Sequence, residues 1–433
     1  MKKVVIITRS FPPVNKTAAL RPLAWGKYMR EFGYDPIIIT RDWSSSVDSE
    51  YDLYKPSGKR IECVRADTFQ VYYVPYDATL LERFTSKIRI KGSWRLIKLF
   101  HDRIGNWFLF HPYRSLYKFS LKLLKHESPD LFILTVPPFN MLDLGFRLHR
   151  KSNVPWVVDY RDEYSTSDLA NLKAVKRSKF TIWKRKKLGI YNFQDEKELI
   201  RSCKFFTTVA HSGVDKIKKL TGKTGYCIPN GFFEHEFENI PSYLKPFKIF
   251  TITYPGWLYK SQQIEIILSS IKKHNSEFPN KKVRLVILGG LSFPLVRDRI
   301  NRLDPNYSSY VEITERVSRE ESIEFQLKSH LLLLCAHKGA KGIPSSKLYE
   351  YIALRKPVLV CPGDKGIIDE TIQEMQNGFI CNTVEETVSL INDKWEEFNN
   401  SDSIKVPYRE DLRINYNRYG QTRKLCKILD EHI

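Results

Sequence analysis

No apolar run in the 433-residue chain approaches the roughly 18 residues that a membrane-spanning helix needs. The longest stretches, 131–136 and 331–336, are strand-sized, which excludes a multi-pass membrane protein. A secretory leader is not expected either: Lys2 and Lys3 are followed by only the short run 4–7 before Arg9. Cysteines are few and unpatterned. The seven stand at 63, 203, 227, 335, 361, 381 and 426, an odd number with no C-x-x-C spacing. That excludes a disulfide framework and a zinc knuckle and suits a reducing cytosol. The 20 glycines and 22 prolines follow no collagen-like period, and no low-complexity tract occurs. What remains is globular: 42% apolar and 13% aromatic residues, enough for two or three domains with full cores.

Acidic residues are scarce in one half only. Residues 1–230 hold 42 Lys+Arg against 22 Asp+Glu, a difference of +20, whereas 231–433 hold 28 against 27. Two stretches carry much of the excess. From Arg83 to Lys125 there are 11 basic residues, one acid (Asp102) and nine aromatics, among them Trp94, Trp107 and Phe110. From Lys173 to Lys187 there are eight basic residues, no acid, and Trp183. Interleaved cations and rings suit an anionic membrane surface. Nucleic acid would also attract such charge, and the plainer alternative is a solvated basic face over ordinary core aromatics.

Along the chain, short β-branched runs alternate with helical spacing. Strands are expected at 4–8, 36–40, 129–135, 154–159, 203–209 and 225–228, with helices at 18–32, 141–150 and about 213–220. Residues 232–246 read as a linker. A second series has strands at 250–254, 283–288, 311–314, 330–335 and 357–360, and helices at 263–275, 319–328, 346–354 and 385–398. The expected organisation is α/β: a first domain over 1–230, a linker over 231–247, a second domain over 248–407, and a final helical segment over 408–433.

The most informative segment runs from Gly339 to Pro357. A Gly- and Pro-containing loop leads into a helix with Ser345 or Ser346 as N-cap. Leu348 and Ile352 share one face; Lys347 and Glu350, three apart, share another near the helix start. Free N–H groups and the helix dipole there favour a phosphate, with Lys347 adding charge and Glu350 placed for a ribose diol. A surface Lys–Glu pair on an ordinary helix is the plainer reading. Two more strand-end loops carry glycines that allow close backbone approach: Gly256 with Lys260, and Gly289-Gly290. In the first half, the strand-end loops 10–17, 135–139 and 159–163 bring forward Asn15, Lys16, Pro138, Arg161 and Asp162, and Arg21 lies on the first turns of the helix after the first loop. A polar acceptor would use such a cluster; an Arg161–Asp162 pair that merely holds its loop is the alternative.

Taken in order, these segments resemble a known family. They are the run Ile7 to Pro13 with Arg21-Pro22-Leu23, then Asp159 to Asp162, Ile228 to Gly231, Tyr254 to Tyr259 and, most specific, Ser346 to Ala353. The chain resembles the retaining glycosyltransferases of family 4, of the GT-B fold, which build bacterial surface polysaccharides such as capsule, O-antigen and exopolysaccharide. The resemblance implies two doubly wound Rossmann-like domains facing each other across a cleft, with the final helix crossing back to the first. It implies a nucleotide-diphosphate sugar donor, UDP- or GDP-linked, held in the second domain by Gly256, Lys260, Gly289, Gly290, Ser345, Ser346, Lys347, Leu348 and Glu350. The acceptor, a saccharide carried on lipid, would lie against Asn15, Lys16, Arg21 and Pro138, with Arg161, Asp162 and Lys347 assisting transfer. No cofactor and no metal are expected for the chemistry, nor is nucleic acid a partner. Together with the charge, the resemblance implies a cytoplasmic enzyme peripheral to the inner face of the plasma membrane.

Three departures stand out. The family's two glutamates, separated by seven residues, would put the first at 342, which is Gly342. The loop after the first strand has Val14 to Thr17 where paired glycines are usual, and Trp257 stands where a basic residue often follows Gly256. Two readings compete: a basic nucleic-acid-binding protein, and a GT-B epimerase that converts a sugar nucleotide without an acceptor.

Overall fold

A computed structural model describes residues 1–14, 17–43, 56–77, 113–139, 141–164, 166–168, 193–241, 244–292 and 294–433. Asn15, Lys16, the stretch 173–187 and most of 83–125 lie outside them. The chain forms two compact units. One comprises Met1–Pro229 with Arg418–Ile433, the other Asn230–Asn417.

In the first unit the strands are β1 (Lys2–Thr8), β2 (Tyr34–Arg41), β3 (Glu62–Arg65), β4 (Gln70–Val74), β5 (Leu131–Val136), β6 (Trp156–Tyr160), β7 (Phe206–Thr208) and β8 (Gly225–Cys227). The helices are α1 (Thr17–Tyr28), α2 (Arg114–Glu127), α3 (Met141–Ser152), α4 (Phe193–Leu199) and α5 (His211–Thr221). The strands pair in the order β3-β4-β2-β1-β5-β6-β7-β8. All pairs are parallel except β3, which runs antiparallel to β4 at the edge. Alternate β1 residues feed two cores: Val5 and Ile7 on one face, Val4 and Ile6 on the other. Burial on both faces is why β1 reads as an unbroken apolar run.

The second unit holds β9 (Phe250–Pro255), β10 (Val283–Leu288), β11 (Val311–Ile313), β12 (Leu331–Leu334), β13 (Val358–Val360) and β14 (Gly378–Ile380). Its helices are α6 (Glu265–Glu277), α7 (Pro294–Leu303), α8 (Arg319–Lys328), α9 (Ser346–Ala353), α10 (Ile367–Met375) and α11 (Val384–Ser401). Its sheet is fully parallel in the order β11-β10-β9-β12-β13-β14. Both units are Rossmann-like, and each has a point where strand order reverses: between β1 and β5 in the first, between β9 and β12 in the second. Ligands of such sheets bind outside the carboxyl ends of the strands at that point.

A last helix, α12 (Arg418–Asp430), belongs to the first unit. Leu425 and Leu429 enter the core that holds Val4 and Ile6. The Tyr34 hydroxyl donates to Asp430 at 2.7 Å, and the Tyr419 ring packs 5.4 Å from that of Tyr28. Residues Glu410–Tyr416, just before it, form a 3₁₀ stretch within the second unit. Among the described residues no helix is long and apolar enough to cross a membrane.

Candidate active site

The second unit's reversal point is built from two loops stitched together. One follows β9, the other β12. Gln262, 3% exposed, does most of the stitching. Its Oε1 accepts from the Tyr254 hydroxyl (2.8 Å) and the Tyr259 N–H (2.9 Å), and its Nε2 donates to the Cys335 carbonyl (3.1 Å). The Lys338 N–H donates to the Ser261 carbonyl at 2.8 Å, and Ser261 Oγ lies 2.7 Å from His337 Nδ1. Gly256 opens the first loop at φ +79°, where a side chain would be strained, and its N–H donates to the Leu288 carbonyl at 2.7 Å. Leu258 turns in, while Trp257 and Tyr259 are exposed with rings 6.0 Å apart. Lys260 is exposed beside them.

The second loop runs through Gly339 and Gly342, both at positive φ, into α9. Position 342 therefore favours glycine for its backbone, a physical reason for the missing glutamate. Ser345 is the N-cap, its hydroxyl accepting from the Lys347 N–H at 3.3 Å. Ser346 is exposed at the first turn, whereas Leu348 is fully buried and offers only its backbone, which bonds Ser345. The Lys347 ammonium sits 4.7 Å from the centre of the Tyr254 ring. Burial pushes its pKa down to about 8, with Glu350 opposing the shift. Burial and the Lys347 charge likewise hold the His337 imidazole below its ordinary value.

Glu350 lies one turn further along. Its Oε2 pairs with Arg319 at the start of α8, and its Oε1 accepts from Gln326 Nε2 at 2.7 Å. Gly289 ends β10 at φ +78°, its N–H held by Thr314 Oγ1 at 2.9 Å, and Gly290 begins a short 3₁₀ turn. The structure thus gathers Gly256, Lys260, Gly289, Gly290, Ser345, Ser346, Lys347 and Glu350 at the carboxyl edge of one sheet. Gln262, His337, Arg319 and Gln326 were not singled out from sequence. The available signal for the first two was only a polar side chain within the loop after each reversal-point strand, β9 ending at Pro255 and β12 at Leu334.

In the first unit, Thr8, Ser10, Thr135, Pro137, Asp159 and Arg161 line an open pocket at the ends of β1, β5 and β6. Arg21, 3% exposed, lines the same pocket. Its Nε lies 3.1 Å from both Asp159 oxygens, its Nη2 donates to Oδ1 at 2.7 Å, and its Nη1 donates to the Ile228 carbonyl at 2.7 Å. Thr207 adds a further bond to Asp159 at 2.7 Å. Three segments singled out in the sequence thereby meet in one buried cluster, in which Arg21 spends its donors on the protein. Arg161 pairs with the exposed Asp162 at 2.8 Å, and its N–H donates to the Val136 carbonyl. Pro138 lies half-buried in the loop after β5, its carbonyl accepting from Met141. Among the described residues no group of three His, Cys, Asp or Glu side chains is placed to hold a metal ion.

No family model and no curated protein sequence matches the chain. Solved structures match it in fold. A glycosyltransferase from Rickettsia africae superposes with TM-score 0.58 at 13% identity, covering 100% of this chain and 99% of that one. HepE of Anabaena, solved with UDP and glucose, gives 0.60 at 13%, covering 100% of both. An α,α-trehalose 6-phosphate synthase from Burkholderia multivorans gives 0.58 at 11%, covering 100% and 99%. The shared fold is the GT-B fold, with its two Rossmann-like bodies.

Proposed function

We propose that the protein is a glycosyltransferase that moves a sugar from a nucleoside diphosphate sugar to a hydroxyl of a saccharide acceptor. The observation that carries this reading is the start of α9: Ser345 caps it, Lys347 stands in its first turn and Glu350 one turn on, all at the reversal point of the second sheet. Lys347 and the helix start would meet the diphosphate and stabilise it as leaving group. Lys260 would add a second cation. Glu350 would accept from the ribose diol. That HepE was solved with UDP-glucose and with UDP favours UDP over GDP here.

The finer reading rests on the resemblance of the sequence motifs. Transfer proceeds with retention and without metal, in the assembly of a bacterial surface polysaccharide. The acceptor is lipid-linked and approaches the pocket near Arg161 and Asp162, while the basic first half holds the enzyme to the inner face of the plasma membrane. Radiolabel transfer from UDP-glucose and GDP-mannose to polyprenyl-diphosphate saccharides tests it. Activity abolished by Glu350→Ala is the expected result; donor turnover that needs no acceptor would point to an epimerase instead.

A further inference from the structure

Gln326 presents an unusual arrangement for a buried amide. It lies within α8, its side chain is 0% exposed, and its Oε1 has no hydrogen-bond partner among the described residues. Such a group costs stability unless its other end does something a hydrocarbon could not. That end, Nε2, donates to Glu350 Oε1 at 2.7 Å and to the Ser322 carbonyl at 3.1 Å. Both neighbours are obligate acceptors, so the amide orientation is settled by its surroundings. On the other side Arg319 Nη1 binds Glu350 Oε2, while Nη2 lies 3.6 Å from Glu236 and the guanidinium packs over the Phe237 ring.

A carboxylate offers about four acceptor directions, two on each oxygen. Gln326 occupies one on Oε1 and Arg319 one on Oε2. One direction on each oxygen is left for a ligand, which matches a vicinal diol with its two hydroxyls. The Glu350 side chain is 19% exposed, so it is open to a ligand yet held from two sides.

We infer that Gln326 is a positioning residue for ribose recognition: its carboxamide holds the Glu350 carboxylate in the orientation that accepts both hydroxyls of a nucleoside diphosphate. Arg319 holds the second oxygen from the solvent side and is shared with Glu236. This rests on the proposed role of Glu350 and assigns that role its support.

The test is calorimetric titration of the full chain with UDP and GDP and with their 2′,3′-dideoxy analogues, on wild type, Glu350→Ala and Gln326→Met. Methionine keeps the length and packing of glutamine and removes the donor. The wild type is expected to prefer the ribonucleotide, and Gln326→Met to lose about tenfold of that preference, the scale of one hydrogen bond to a charged group. The dideoxy analogue, which never uses the carboxylate, should bind both proteins alike. Preference unchanged in Gln326→Met overturns the inference, as does an equal loss for both nucleotides, which would mark a merely structural role. Failure of the parent reading looks different: no binding of either nucleotide to wild type, or a diol preference that survives Glu350→Ala.

Discussion

Arg21 and Asp159 face each other inside the first unit, Nη2 to Oδ1 at 2.7 Å, with side chains 3% and 1% exposed. Each charge is tolerated there only because the other is present, and because Thr207 and the Ile228 carbonyl satisfy the remaining groups. Removing one partner strands the other. Arg21→Ala is expected to cost about 3–5 kcal/mol, as for other broken buried pairs. Chemical denaturation checks it, with Arg161→Ala as a half-exposed comparison expected to lose less than about 1 kcal/mol.

Lys347 titrates near the working range. Its folded pKa of about 8 lies below the ordinary 10.5, so the ammonium is fully present below pH 7 and fades as pH rises through 8. The affinity for a nucleoside diphosphate should therefore fall between pH 7 and 9. Lys347→Arg, which stays cationic, should flatten that profile, as titrations at pH 7, 8 and 9 would show. Stability moves the other way: the unfolded chain holds this proton more tightly, so the Lys347 contribution rises with pH between 8 and 10.5.

His330 makes the second unit acid-sensitive. Its ring stacks on Phe250, its Nδ1 accepts from the Thr251 N–H at 2.9 Å, and burial pushes its pKa down to about 3. The depressed value means the neutral form belongs to the fold. Stability is complete above the unfolded value of 6.5 and declines as pH falls from there toward 3, with a slope of about 1.4 kcal/mol per pH unit from this residue. The denaturation midpoint of wild type should drop more steeply between pH 6.5 and 4.5 than that of His330→Gln.

Charge in the first half gives a salt-dependent membrane prediction. With an excess of +20 in residues 1–230, the protein should co-sediment with vesicles containing anionic lipid and not with neutral ones. Attraction of this kind is screened as the Debye length shrinks to about 3 Å at 1 M salt. Replacing Lys184, Arg185, Lys186 and Lys187 by Gln should weaken it; retention in 1 M salt would contradict it.

The sheet centres were legible in the sequence because they are buried on both faces. Val4–Ile7, Leu131–Leu134 and Leu331–Leu334 are continuous apolar runs for that reason. The rims were not. Strand β3 is exposed at all four residues and shows no core face, and β14 is three half-buried residues after Asn377. Helix α7 exposes Leu295 at 72%, which blurs its amphipathic pattern. Helix α10 is set by Asp364 and Asp369, whose carboxylates cap each other's backbone, a local device with no periodic signature. The same holds at the site. Lys347 and Glu350 sit one turn apart, so spacing alone pairs them. Arg319 and Gln326 reach Glu350 across 31 and 24 residues, a meeting that only the strand order creates. Arg21 was expected on the acceptor side and does line the first unit's pocket; its buried pairing with Asp159, 138 residues away, required the packed structure.

Everything proposed for the second unit depends on its binding a nucleoside diphosphate through Glu350. Thermal unfolding of wild type and Glu350→Ala, each with and without UDP and GDP, tests it most directly, because a ligand that binds only the folded protein raises its midpoint. One nucleotide is expected to stabilise the wild type and to leave Glu350→Ala nearly unmoved. Equal stabilisation of both proteins, or none of the wild type by either nucleotide, would contradict it.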